Sequence, residues 1–449
     1  MRMNRSFARM RPLLLMALVL TFVLAAQVAP TYAAAIVVNS LADGTLAALA
    51  GNGTCDLREA VAAANTDAIV DSCIGGTGVD VISFSVPGTI TLTAGQLAIE
   101  DLDATTINGG GTVTISGGNA SRVILIGNET VNDVLPRSLT LTAIVIAEGN
   151  GVGLSGGGGV PNGGCILVRP NGTITVNGSS DIRNCLSSAF GGGIYGDENA
   201  VINLNDATEV FENAAQRGAG VYVITGVLVV NEDSCIRNNA ADETGGGIHV
   251  GDNVTVTLGG GSVTNRGYLI DNTSNFGGGG IYIEQNSSFI GNHARIFGNV
   301  DALSQRGGWF AEGGSFDRSC VDCCIVGNSD TAVGQRRNGV IADFQNNWWG
   351  SDFGPYIPGA GLNTASGTST GDRVADFVGL APQTVIGFGV TLNFSSLPAN
   401  YGSESTGGGA GFWLTNAAGN VPSDCTTDLC SPVSSIAASR SARVCIYSK

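Results

Sequence analysis

The chain has 449 residues, of which 68 are glycine and only 13% are charged, and its formal net charge is −16. So glycine-rich a composition is hostile to long helices and suits tightly turning β structure, and the acidic balance makes nucleic acid and anionic membranes poor partners. Lysine occurs once, at Lys449, which argues against chemistry built on a catalytic lysine.

The chain opens with Arg2, Arg5, Arg9 and Arg11, an apolar run from Leu13 to Ala26, and small residues in "TYAAA" at 31–35. That order of basic, apolar and small residues predicts a secretory signal peptide over 1–35. Removing it takes the charge from −16 to −20, because its four arginines leave with no acid. The apolar run is too short for a membrane span and no later run reaches about 18 residues. The mature chain is expected to have no transmembrane segment and to be secreted or held at the cell surface.

Residues 56–65, "DLREAVAAAN", predict the one convincing helix: Asp56 caps it, Glu59 stands at capping-box spacing, and Leu57, Ala60, Val61 and Ala64 share an apolar face. We read 36–78 as an N-terminal cap. Eleven cysteines in an exported chain read first as disulfides; Cys55 with Cys73 would staple the cap, and Cys425 with Cys430 would close a short loop. Cys320, Cys323 and Cys324 lack a second Cys pair or His nearby to complete a metal site.

From residue 79 the chain becomes a series of short β-rich runs cut by Gly, Asn and Pro, such as "VDVISFSV" at 79–86 and "GTITLTAGQLAI" at 88–99. A glycine run then recurs: "GGCILV" at 163, "GGGIYG" at 191, "GAGVYV" at 218, "GGGIHV" at 245 and "GGGIYI" at 278. Between these lies an apolar residue two before an asparagine, at Ile182/Asn184, Phe211/Asn213, Ile236/Asn238, Ile270/Asn272, Phe297/Asn299 and Val326/Asn328. A period near 27 residues predicts a parallel β-solenoid, roughly eleven coils if 79–349 all take part. Alternation then points Ile194, Val221, Ile248 and Ile281 inward, and Tyr195, Tyr222, His249 and Tyr282 outward. The asparagines belong at the turns. Sequons such as Asn171-Gly-Thr and Asn286-Ser-Ser read as turn residues too.

Three segments resemble known families. "NGTCDLREAVAAANTD" at 52–67 resembles the CSLREA module of bacterial surface proteins, with Asp56 in place of Ser and Val61 in place of Ile. The "GGGI" and Phe211-Glu212-Asn213 repeats are similar to those of polymorphic outer-membrane proteins, and "NNWWGSDFGP" at 346–355 looks like the segment after the last coils of such chains. The resemblance covers about 36–355. It implies an all-β, right-handed parallel β-helix of the pectin-lyase-like class over 79–355, exposed at a cell surface or secreted. Only 94 residues follow Pro355, less than the membrane barrel of those relatives, so 356–449 read as a tail or partial module.

The fold class hosts enzymes, adhesins and spacers alike. Carbohydrate cleavage would need convergent carboxylates, with or without Ca²⁺. Asp206, Glu209, Glu212, Glu232, Asp233, Asp242, Glu243 and Asp252 lie on adjacent coils, yet the paired Asp-Asp and Gly-His-Gly segments typical of polygalacturonases are missing. The nucleophile-elbow match at Ser155 sits in a glycine run, where chance produces it. We therefore expect a non-catalytic, adhesin-like binding or structural module, with carbohydrate or cell-surface components as partners and a lyase or hydrolase as the alternative. Tyr195, Tyr222, His249 and Tyr282 are the candidates for stacking on a ligand, and Trp348 and Trp349 read as a core plug. No metal site or cofactor is expected, with Ca²⁺ left open.

Overall fold

The computed structural model describes residues 35–128, 133–151, 161–262, 265–303, 307–312, 318–321 and 323–329. Beyond these it describes only the strand backbones Val333–Gln335, Ala342–Asn347, Val374–Ala375, Thr384–Gly387, Val390–Asn393 and Phe412–Asn416. Residues 1–34, Ser155, Trp348, Trp349, Cys425 and Cys430 lie outside the described residues.

One coil illustrates the whole. Ala200–Leu204 belongs to a first face, Glu209–Phe211 to a second, Ala214–Arg217 to a short fourth sheet, and Val221–Val223 to a third face. Gly226–Val230 then starts the next coil on top of Ala200–Leu204, in register and parallel. Repetition yields sheets of 14, 9, 4 and 10 strands. The ladders that stack coil on coil are parallel, the pair Thr384–Gly387 and Val390–Asn393 at the end of the first sheet is antiparallel, and among the described residues helix is confined to Leu46–Leu49 and Leu57–Thr66. The chain is a parallel β-helix. Along the first face, Ala35–Val38 through Ala342–Asn347 form eleven successive rungs, so the solenoid begins within the segment read as cap.

Alternation places Ile174, Ile202, Leu228 and Val256 over one another inside, fully buried, and the same holds for Ile194, Val221, Ile248 and Ile281 on the third face. One continuous apolar core runs through the described coils. No coil could bury such a face alone.

The N-terminal end of that core is closed by Leu57–Thr66. Leu57, Ala60, Val61, Ala63 and Ala64 pack into the same core as Ile36 and Ile82. Glu59 accepts from the Asp56 N–H at 3.2 Å. Arg58 reaches Asp43 Oδ1 at 2.9 Å and the carbonyls of Gly95 and Gln96 at 2.7 and 3.0 Å, tying the helix to the first coil. Cys55 and Cys73 are joined. Each residue of the "CDLREA" stretch thus has a structural task.

The asparagines follow a rule the sequence spacing only half revealed. A buried ladder runs through Asn213, Asn239, Asn272, Asn299 and Asn328, each Nδ2 donating to the next Oδ1 at 2.9–3.0 Å. The second Nδ2 hydrogen goes to a carbonyl of the preceding coil, as in Asn239 to Val210 at 3.0 Å. Each Oδ1 also accepts a backbone N–H of that coil, as in Asn213 N–H to Asn239 at 3.1 Å. Asn184 and Asn238 are not members: they sit one residue earlier, in the left-handed conformation at φ 55° and 52°, where Glu212, Asp271 and Gly298 stand in other coils. Asparagine suits both places, a corner for its tolerance of positive φ and a ladder for its self-complementary amide. Asn171 and Asn286, both at φ 61°, are likewise turn residues.

Two results are expected from equilibrium denaturation. Asn239→Ala strands donors and an acceptor on both neighbours and should lower stability by about 3 kcal/mol, whereas Asn238→Gly at an exposed positive-φ corner should stay within about 1 kcal/mol of the parent. Breaking Cys55–Cys73, separated by 18 residues, should cost about 3 kcal/mol; an unchanged urea midpoint in the Cys55→Ser/Cys73→Ser protein would remove the staple from the cap's stability.

Candidate functional site

The residues after the inward column of the third face stand in strict register: Leu125, Leu167, Tyr195, Tyr222, His249, Tyr282 and Phe310. Their side chains leave the core, as alternation requires. Tyr195 and Tyr222 stack at 5.6 Å between centroids, Tyr222 and His249 at 4.8 Å, and His249 and Tyr282 at 4.9 Å, with interplanar angles of 11–15°. Phe310 follows Tyr282 at 5.4 Å. Parallel strands sit about 4.8 Å apart, close to the separation aromatic rings prefer, so register alone builds the stack.

The ladder points outward and is nevertheless buried. His249 is 1% exposed and Tyr195, Tyr222 and Tyr282 are no more than 9%. The rings cover one another's faces, and the segments before the glycine runs flank them. Phe190 stacks on Tyr222 at 4.8 Å, Arg217 lies over Phe190 at 5.8 Å, and a Cβ on Gly277 would come within 3.2 Å of the Tyr282 ring. Ring edges, rather than faces, are what a molecule arriving from outside would meet.

Those edges are polar. His249 Nε2 lies 3.0 Å from Glu284 Oε1 and Nδ1 lies 2.8 Å from Thr244 Oγ1. The carboxylate only accepts, so Nε2 carries the proton and Nδ1 receives the Thr244 hydroxyl. Burial pushes the imidazole below its usual range, against the pull of Glu284. The hydrogen bond from His249 in turn holds the Glu284 carboxyl low. One coil on, the pattern repeats as Tyr282 Oη donates to Glu312 at 2.6 Å. Burial raises the Tyr222 phenol to about 12. Arg217 pairs with Glu243 at 2.5 Å, and Gln216 donates to the same carboxylate at 2.8 Å. With both nitrogens engaged and its faces covered, the His249 imidazole is built as a neutral rung and has no lone pair to offer a substrate.

The eight acids of 206–252 divide among separate corners. Asp206, Glu232 and Asp233 are positive-φ turn residues between the first and second faces, and Glu212 is a corner residue after the second. Glu209 is buried in a 2.7 Å pair with Arg237. Asp242 and Glu243 lie in the fourth sheet and Asp252 follows the third face. Among the described residues no three His, Cys, Asp or Glu side chains converge as a metal would require. Cys320 and Cys323 form a disulfide.

Thr244, Glu284, Phe190 and Phe310 were missed as ladder partners. For Phe310 a signal existed: "GGWFA" at 307–311 keeps the glycine frame with aromatic residues. Glu284 is brought to His249 only by coil packing, and Thr244 by the glycine turn between Thr244 and Ile248. No family model, curated protein or solved structure matched the chain.

The histidine rung fixes a pH dependence. Held neutral by burial, His249 binds its proton less readily in the folded chain than in the unfolded one, so its contribution is complete above about 6.5 and declines as pH falls below it. Glu284, held low, acts in the same direction: its contribution is present above the usual carboxylate range and is lost as pH falls through the depressed value. His249→Tyr, whose hydroxyl can bond Glu284 as Tyr282 bonds Glu312, should flatten the loss of stability between about pH 6.5 and 5. Urea midpoints at several pH values check this; a loss as steep in the variant as in the parent would refute it.

Proposed function

We propose that this chain is an extracytoplasmic, right-handed parallel β-helix, related to the CSLREA-module surface proteins it resembles, and that it serves as a non-catalytic adhesin-like binding or structural module. The observation that carries this reading is the set of ladders, apolar, amide and aromatic, running through consecutive coils, the amides bonded to their own equivalents and the rings stacked on theirs. A residue engaged by its copies above and below is committed to the rod. Disulfides at Cys55–Cys73, Cys165–Cys185 and Cys320–Cys323 suit an oxidising compartment.

A partner would meet the first face. Its outward residues are half-buried rather than covered, and they are rich in hydroxyls and amides: Thr173, Thr175, Asn203, Thr255 and Thr257. Such a flat surface suits glycans or cell-wall components, whose hydroxyls exchange hydrogen bonds with it.

The test combines a glycan array, with and without Ca²⁺, and incubation with uronate-containing and neutral polysaccharides. New reducing ends and unsaturated-product absorbance report cleavage. Binding without turnover, weakened by Thr175→Ala/Asn203→Ala and not by His249→Tyr, is expected. Sustained turnover abolished by Glu284→Gln or Glu243→Gln would overturn the reading in favour of a lyase or hydrolase.

A further inference from the structure

The outward side of the first face differs in kind from the rest of the surface. From Ala35–Val38 to Arg318–Val321 it runs through ten strands. Every side chain that alternation turns outward within them is Ala, Val, Ile, Ser, Thr or Asn. In a chain with 37 acidic and 21 basic residues, this face carries no charge and no ring. The outward places of the second face, by contrast, hold Asp181, Arg183, Glu209 and Arg237, and those of the third hold the stacked rings. Charge has been kept off one face alone.

The face is also a regular net. Its strands pair one to one without a bulge from Asp80–Phe84 to Ser288–Asn292. Equivalent side chains therefore repeat about every 4.8 Å along the rod, and outward neighbours within a strand lie about 6.6 Å apart. Thr106, Thr140 and Thr175 follow one another in one column, and Thr255 and Thr257 stand side by side three coils on. Val227 and Val229 fill one of the intervening coils with threonine's shape. β-Branched side chains hold few rotamers, and some of the hydroxyls are tied along the columns: Ser288 Oγ donates to Thr255 Oγ1 at 3.2 Å, and Thr142 Oγ1 to Asn177 Oδ1 at 2.7 Å. The net is fixed before any partner arrives.

A charged partner finds nothing to pair with here, and a protein partner would meet none of the aromatic or arginine anchors that dominate such interfaces. A neutral, rigid lattice of hydrogen-bond donors and acceptors fits. Water oxygens on a prism face of hexagonal ice form a rectangular net with spacings close to these two, so a few neighbouring coils can seat on it together. We propose that the outer side of the first face binds ice. Hydroxyls and amides hydrogen-bond a first layer of water, and the methyl groups of threonine and valine hold that layer in cages between them. The fixed net places this water where it joins the crystal. A charged group would orient water around itself and break the layer, which accounts for the absence of charge. The amide and ring ladders already hold the coils, so the ordering falls on water and not on the chain. Ice would occupy the face proposed for glycans, but its binding does not rest on that reading.

Nanolitre osmometry and partitioning into slowly grown ice test this on the purified protein. A gap between melting and freezing points, faceted crystals and enrichment in the ice fraction are expected. Thr140→Tyr/Thr175→Tyr stands two rings upright in the net and should shrink the gap several-fold at equal concentration, and Thr257→Tyr probes the same point from another coil. Thr175→Val, which keeps the methyl shape, should retain most of the effect, and Asp242→Tyr on the fourth sheet should leave it unchanged. Urea midpoints show which variants are folded. Round, unhindered crystals with the parent protein, or a gap that survives the tyrosine substitutions in folded protein, would overturn the proposal. Glycan binding without ice adsorption overturns ice binding alone, and ice adsorption without glycan binding supports it while removing only the glycan reading.

Discussion

In-register parallel stacking is the constraint on which everything else depends. Each residue lies about 4.8 Å from its equivalent in the next coil, so a side chain is tolerated in the interior only if it packs on, or bonds to, something much like itself. Aliphatic side chains meet that condition by contact. Among polar ones the primary amide meets it fully, because donor and acceptor lie at opposite ends of one planar group. Asn239 uses both hydrogens and accepts two, one bond of each kind joining it to another asparagine. A single unpaired amide at that depth would cost about 1–3 kcal/mol; within the ladder each amide is partnered by the next.

The glycine runs are the other half of the same contact. The third residue of each run backs onto the asparagine ladder: a Cβ on Gly220 would lie 3.0 Å from Asn239 Nδ2, and one on Gly247 equally near Asn272 Nδ2. The glycine gives up its side chain so that the amide can reach the backbone of the preceding coil. One coil departs from this, and instructively. Cys165 stands at the register position of Gly193, and Cys185 at that of Asn213. There the packing contact is replaced by a bond between the same two positions, Cys165–Cys185. Its sulfurs have no amide to pass on, and the Asn213 Oδ1 facing that coil receives only the Cys185 N–H.

This explains what could be read from the sequence. Repetition and alternation are local, so the solenoid, the inward column and the cap helix with its Cys55–Cys73 staple were all legible. The asparagine ladder was blurred because its members follow the inward residue by three, Ile236 to Asn239 and Leu269 to Asn272, while the apolar outward residues Ile270 and Phe297 imitate a spacing of two. Asn184 and Asn238 fit that false spacing, yet they are positive-φ corners. The partners of His249 were illegible for a different reason. Thr244 meets the ring across the glycine run of its own coil, 5 residues away, whereas Glu284 lies 35 residues on and only the stacking of the next coil brings it there.

The same constraint changes where a functional surface should be sought. Aromatic residues repeated at the coil period invite the thought of an exposed ligand platform, but identical spacing lets flat rings stack on one another before anything else can stack on them. An outward ladder of rings is therefore self-burying, and the more regular the repeat, the fewer faces it leaves. Buried polar groups obey the same logic at the far end of the core. Arg318 occupies an inward position above Phe289 without an ion-pair partner among the described residues, its guanidinium bonded to the carbonyls of Ser287, Glu312 and Glu284 at 2.9–3.3 Å. Burial lowers it to about 10. A cation there cannot be repeated coil after coil, because like charges 4.8 Å apart repel. On the proposed reading, recognition on such a rod belongs to columns that stay partly open to solvent, which here means the hydroxyl- and amide-bearing outer side of the first face, although neighbours there also bond across coils, as Asn203 does to Thr175 at 3.4 Å.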